Sequence, residues 1–145
     1  MADRFLLVLW LTSRCNLSCS YCYAGACSQG RDMTFETARK VIDAFGNRPL
    51  KLQFAGGEPT LNFSLAERIM EYTREKHLDI LFQLQTNGTL LTEKMVRTLK
   101  ENHVSVGVSL DGIPSSLMPL TVSEVCPRVR ALLSGIPSRL TPTET

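Results

Sequence analysis

Short apolar runs alternate with amphipathic stretches along the first 110 residues. Phe5 to Leu11 (FLLVLWL) is a continuous apolar run of strand length, read as a buried first strand. The next stretch, TFETARKVIDAFG, carries Phe35, Ala38, Ile42 and Phe45 at helical spacing and closes on Gly46, where a helix stop is expected. Leu50 to Ala55 (LKLQFA) reads as a second strand. SLAERIMEYTREKH follows, with Leu65, Ile69 and Tyr72 on one face and Ser64 and Glu67 spaced as a capping box. Ile80 to Gln85 (ILFQLQ) is the third strand. TEKMVRTLKEN is the third helix, with Thr92 as its cap and Glu93 in its first turn. Val104 to Leu110 (VSVGVSL) is the fourth strand. Strands separated by helices imply βαβ units and one parallel sheet, an α/β fold.

Such sheets concentrate chemistry in the loops after the carboxyl ends of their strands. Each of those loops is unusual here. The first holds three cysteines, the second GGEPT, the third TNGT and the fourth DG. Any one could be an ordinary turn; four together point to a common rim. After Gly112 the character changes, because residues 113–145 hold five of the seven prolines and only five charged residues. We therefore expect a core over 1–112 and a loosely ordered tail over 113–145, with one short helix in EVCPRVRALLSG.

Composition narrows the function classes. A formal net charge of +2 over 145 residues gives no basis for binding nucleic acid or an anionic membrane. No apolar run approaches the roughly 18 residues of a membrane span. The first apolar run has Asp3 before it and no small-residue cleavage site after it, so it is not read as a signal peptide; a cytoplasmic protein is expected. Five cysteines, three of them within eight residues, favour metal binding over a disulfide framework. Cys27 and Cys126 stand apart and are read as buried small apolar residues. His77 and His103 fall at helix ends and are read as surface residues.

Cys15, Cys19 and Cys22 form C-x3-C-x2-C. Thiolates suit iron–sulfur clusters, zinc and Cu(I). Four would saturate a cubane cluster; three leave one iron open to bind a ligand directly, as catalytic metals keep a position free. Zinc remains an alternative if Cys27 supplies a fourth ligand.

With Tyr21 in place, RCNLSCSYCY resembles the radical S-adenosylmethionine superfamily, whose motif is C-x3-C-x-aromatic-C. GGEP at Gly56, Gly57, Glu58 and Pro59 resembles the family's motif after the second strand. QTNGTLL and VSLDG resemble the branch that modifies peptides and proteins, including anaerobic sulfatase-maturing enzymes. The resemblance runs from Phe5 to about Gly112. It implies a [4Fe–4S] cluster on the three cysteines, with S-adenosylmethionine chelated to the fourth iron. Reductive cleavage would give methionine and a 5′-deoxyadenosyl radical that abstracts hydrogen from a substrate. The resemblance further implies that GGEP engages the methionine amino group, through the Glu58 carboxylate among others. It brings Ser109 and Asp111 to the ribose, has Gln85, Thr86 and Asn87 line the cofactor or substrate side, and sets Tyr21 near the adenine unless its ring is ordinary packing. The implied partners are a peptide or protein substrate and an electron donor such as flavodoxin or ferredoxin.

The chain also departs from the family. It has room for about four of the six βα units of the family's partial barrel, which leaves strand four as an uncovered edge unless a partner chain completes it. With only Cys27 and Cys126 left over, the cysteine-rich C-terminal domain of the peptide-modifying branch is not expected. The sequence after SLDG lacks the expected polar, Arg-containing stretch. A truncated, inactive fragment with this fold is therefore the alternative to an active enzyme.

Overall fold

A computed structural model describes residues 3–25, 28–109 and 131. Strand β1 (Phe5–Thr12) leads through the cysteine loop to helix α1 (Phe35–Phe45). Then come β2 (Leu50–Gly56), a 3-10 turn (Pro59–Asn62), α2 (Phe63–Glu75), β3 (Ile80–Thr86), α3 (Glu93–Glu101) and β4 (Ser105–Val108). The strands form one parallel sheet in the order β1-β2-β3-β4. The α/β fold and the parallel sheet are as the hydropathy pattern predicts, and β4 is the last strand among the described residues.

The local determinants are readable. Thr34 caps α1 by accepting from the Thr37 amide, and Thr92 caps α3 by accepting from the Met95 amide. Gly46 closes α1 at φ 58°. The helices α2 and α3 run out through His77 and His103, both exposed and both at positive φ. His is among the few non-glycine residues that adopt this region. The capping box does not form. The 3-10 turn carries the chain into α2 at Phe63, two residues before a Ser64 cap would start it, and its N-cap Asn62 makes no side-chain cap bond. Ser64 is exposed, and Glu67 instead accepts from the Thr98 hydroxyl of α3 at 3.4 Å.

One face of the sheet makes the core. Leu9, Leu11, Leu52, Phe54, Leu84 and Val106 point at the helices and are at most 2% exposed. Burying this apolar stripe against the helices is the main stabilising term. The expected fully buried first strand is corrected here: Leu6, Val8 and Trp10 alternate onto the opposite face and are 59%, 42% and 39% exposed. A strand shows successive side chains to opposite faces, and among the described residues no second layer covers this one. The short helix expected in the tail, Cys27 and Cys126 lie outside the described residues, apart from helical Ala131.

The β1–β2 register shifts between Trp10 and Thr12, so that Thr12 pairs with Gly56. This irregularity delivers the two strand ends side by side. Gly56 adopts φ 146°, and a Cβ there would sit 2.3 Å from the Thr12 carbonyl oxygen. Only glycine fits. We expect Gly56→Ala to cost about 3 kcal/mol, from combined backbone strain and overlap. Urea unfolding measures it; a loss below about 0.5 kcal/mol, the range of ordinary surface changes, would contradict the close approach.

Candidate functional site

The site lies along the carboxyl ends of the four strands, where the first three βα loops are tied to one another. The cysteine loop leaves β1 and returns beside it. Its neck is fastened by Ser13 N to Arg31 O at 2.9 Å, Arg31 N to Ser13 Oγ at 2.8 Å and Met33 N to Leu11 O at 2.9 Å. Across the same neck the Arg14 guanidinium makes a two-pronged contact with Asp32, Nε–Oδ1 3.0 Å and Nη2–Oδ2 2.7 Å. Planar fork-to-carboxylate pairing fixes geometry as well as charge. Asn62 adds a further tie, donating to Leu11 O at 2.8 Å.

Within the loop, Cys15, Cys19 and Cys22 are half-buried free thiols. Cys22 N donates to Cys19 O at 3.1 Å and Gly25 N to Cys22 O at 3.2 Å, so this segment winds in turns. Burial pushes the Cys15 thiol above its ordinary range. The Leu17 amide, donating to Cys15 Sγ at 3.4 Å, works against this, while Glu58, Cys19 and Cys22 push it further up. The three sulfurs therefore share one electrostatic neighbourhood. Among the described residues no three Cys, His, Asp or Glu side chains close around a single metal ion.

Glu58 is the centre of the rim, and it is 0% exposed. Its Oε1 accepts from Thr60 N (3.1 Å), Thr60 Oγ1 (2.5 Å) and Thr86 Oγ1 (2.6 Å), and its Oε2 accepts from Asn87 N (2.8 Å). Its backbone N–H donates to Arg14 O at 2.8 Å, and Gly57 N to Thr12 O at 2.9 Å. The carboxylate read as a partner for a ligand's ammonium is thus held by four protein donors, leaving Oε2 with a single bond. Pro59 is buried at the start of the 3-10 turn.

Beyond β3 the TNGT turn is built on its own side chains. Gly88 N donates to Thr86 Oγ1 at 3.0 Å, and Asn87 Oδ1 accepts from Thr89 N at 3.0 Å and Thr89 Oγ1 at 2.7 Å. Asn87 Nδ2 reaches back to Asn16 Oδ1 at 3.0 Å and to Cys15 Sγ at 4.0 Å. Asn16 Nδ2 donates to Thr89 Oγ1 at 2.9 Å.

The remaining sequence candidates fall as follows. Ser109 is exposed beyond β4; it accepts from Gln85 Nε2 at 2.8 Å, and its amide donates to Thr86 O at 2.9 Å. Gly107 leaves room for that Gln85 side chain, since a Cβ would meet Oε1 at 2.4 Å. Tyr21 stands on the cysteine loop, 64% exposed, so its ring is no part of the core. Asp111 lies outside the described residues. Sequence reasoning missed Thr60, Asn16, Thr89 and the Arg14–Asp32 clamp. The Thr residues carried a signal, since Ser and Thr beside turns bond locally; the clamp carried none.

The comparisons with known proteins bear on this rim. The model of the Radical SAM superfamily matches residues 11–131. The chain belongs to the radical SAM superfamily. An uncharacterised protein of Methanocaldococcus jannaschii is 44% identical over 111 residues, covering 74% of this chain and 38% of that protein. A cysteine-type anaerobic sulfatase-maturating enzyme of Clostridium perfringens is 36% identical over 134 residues, covering 83% of this chain and 36% of that enzyme. The solved structure of anSMEcpe with bound AdoMet and Kp18Cys peptide superposes with a TM-score of 0.78 at 28% identity, covering 96% of this chain and 42% of that one. The chain thus spans well under half the length of these relatives. Membership of the superfamily implies a [4Fe–4S] cluster and S-adenosylmethionine as cofactors. No helix among the described residues is long and apolar enough to cross a membrane.

Two outcomes follow from this geometry. Glu58→Gln puts an amide among four donors, and in the cluster-free protein it should lower the unfolding free energy by about 2–4 kcal/mol. A change below about 0.5 kcal/mol on urea titration would show that the carboxylate is not a structural tie. Asp32 is held below its usual carboxylate range first by a hydrogen bond from the Thr12 hydroxyl and then by Arg14. A depressed carboxyl stabilises above its unfolded pKa and loses that contribution as pH falls through the folded one. The loop neck should therefore hold above about pH 4 and loosen below it. Amide exchange at Ser13 and Arg31 reads this; Asp32→Asn should abolish the acid step, and an unchanged step would contradict the assignment.

Proposed function

We propose that this chain carries the cofactor-binding half-site of a radical S-adenosylmethionine enzyme acting on a peptide or protein. In this reading Cys15, Cys19 and Cys22 hold the [4Fe–4S] cluster, and the ligand sits along the Gly56–Gly57–Glu58–Pro59, Thr86–Asn87 and Ser109 rim, with Asp111 two residues further along the sequence. The observation that carries it is the coupling of three loops. The GGEP backbone hydrogen-bonds the loop of the cysteines, its carboxylate holds the TNGT turn, and that turn reaches Cys15.

When bound, the cluster and S-adenosylmethionine supply a one-electron cleavage that yields a hydrogen-abstracting 5′-deoxyadenosyl radical. The chain's own residues hold and orient. Three thiolates bind without a fourth, which leaves one metal position for the ligand. Gly56 and Gly57 let backbone come close where a side chain would block it. Glu58 keeps the second and third loops at a fixed separation. Gln85 and Ser109 present an amide and a hydroxyl suited to a ribose, and exposed Tyr21 presents a flat ring suited to a base. A peptide or protein substrate is favoured by the likeness to sulfatase-maturating enzymes. A one-electron donor such as flavodoxin or ferredoxin completes the requirements. The partly exposed sheet face, without a second layer among the described residues, leaves a partner chain as a means of covering it.

The test is anaerobic reconstitution. The protein should take up about four iron and four sulfide, and S-adenosylmethionine should change the EPR spectrum of the reduced form. Ser at any one of positions 15, 19 or 22 should abolish both. Loss of 5′-deoxyadenosine formation with binding intact would make the chain a binding fragment, and a colourless wild-type protein would overturn the reading.

A further inference from the structure

The Asn87 side chain has its orientation fixed from four directions. Its backbone N–H is held by Glu58 Oε2 at 2.8 Å. Its Oδ1 takes two donors from Thr89, at 3.0 and 2.7 Å. Those two bonds decide which end of the carboxamide is oxygen, since donors must meet the acceptor. The amide nitrogen is thereby turned toward the cysteine loop. There it donates to Asn16 Oδ1 at 3.0 Å and directs its remaining hydrogen at Cys15 Sγ, 4.0 Å away. The second donor to this sulfur is the Leu17 amide at 3.4 Å. Cys15 Sγ thus faces two N–H donors from different loops.

We propose that Asn87 is a positioning residue acting through Cys15: its carboxamide dipole, aimed by Thr89 and anchored by Glu58, stabilises negative charge on that one thiolate and so raises the reduction potential of the group it ligates. The inference rests on the cluster assignment above. Donors to cluster sulfurs stabilise the reduced, more negative state, and outer hydrogen bonds tune a metal centre through its ligands. A site built this way couples the third βα loop to the electronics of the first. Anything that moves the TNGT turn changes the donor at Cys15.

The experiment measures the midpoint potential of the reconstituted full chain by EPR-monitored titration. Asn87→Asp keeps the oxygen that accepts both Thr89 bonds and replaces the donor facing Cys15 with a carboxylate oxygen. Asn87→Ser removes the donor without adding charge. Asn16→Ala breaks the same hydrogen-bond network but leaves the Asn87 amide. The expected order of potentials is wild type highest, Asn16→Ala close to it, Asn87→Ser lower and Asn87→Asp lowest. A purely structural role would move Asn16→Ala and Asn87→Ser alike and would not rank Asp below Ser. Where Asn87→Asp does not fold, Asn87→Ala takes its place; without the carboxamide the potential should fall as it does in Asn87→Ser. Equal potentials in the cluster-loaded variants overturn this inference alone. A wild type that binds no iron or sulfide overturns the cluster assignment and this inference together.

Discussion

A carboxylate without exposed surface is stable only when protein donors replace its lost water. Glu58 meets that condition with two backbone amides and two threonine hydroxyls drawn from the 3-10 turn, the end of β3 and the turn beyond it. Its own amide is bound to Arg14 at the entrance of the cysteine loop. One residue thus fixes three βα loops relative to one another. Each loop alone is polar, glycine-containing and thin in apolar contacts, the composition of a mobile segment. The hydrogen bonds of one buried anion, strengthened by low local dielectric, convert them into a rim.

The rest of the structure serves that rim. The helix-facing stripe of the sheet supplies burial and sets strand spacing. The register shift after Trp10 brings Thr12 against Gly56, and the missing Cβ at Gly56 allows the approach. The Arg14–Asp32 clamp closes the neck of the cysteine loop. A cluster ligand set needs this support, because thiolates on an unfastened loop lose conformational entropy on binding. Among the described residues one sheet face has no second layer, with Trp10 and Tyr23 in an edge-to-face pair at its upper end. The chain spans about two-fifths of the superposed anSMEcpe structure.

Much of this was legible in the sequence, and for physical reasons. Apolar spacing located the four strands and three helices of the described residues, because periodicity reports which positions face the core. Thr34, Gly46 and Thr92 are chemical signals for helix ends, and Gly46 and Thr92 were read as such; Thr34 opens the same stretch as Gly46 closes but was not read as its cap. The capping box at Ser64 and Glu67 misled because a 3-10 turn, invisible to helical periodicity, starts the helix early. The first strand was read as wholly buried because composition does not report whether a second layer exists; burial on one face is a tertiary fact. At the site, the residue types were legible and their partners were not. Glu58 reads equally as a ligand-facing acid or a buried tie, and only the arrival of Thr86 and Asn87 from 28 and 29 residues away separates the two. Contacts at such separation leave no local pattern.

The most direct test of this account is hydrogen exchange at the amides of Glu58, Thr60 and Asn87 in the native, cluster-free protein. If the buried carboxylate holds the rim together before any cofactor arrives, those three amides exchange as slowly as the β2 and β3 core. Exchange at the rate of exposed loops would contradict it, and would mean that the rim takes shape only around its ligands.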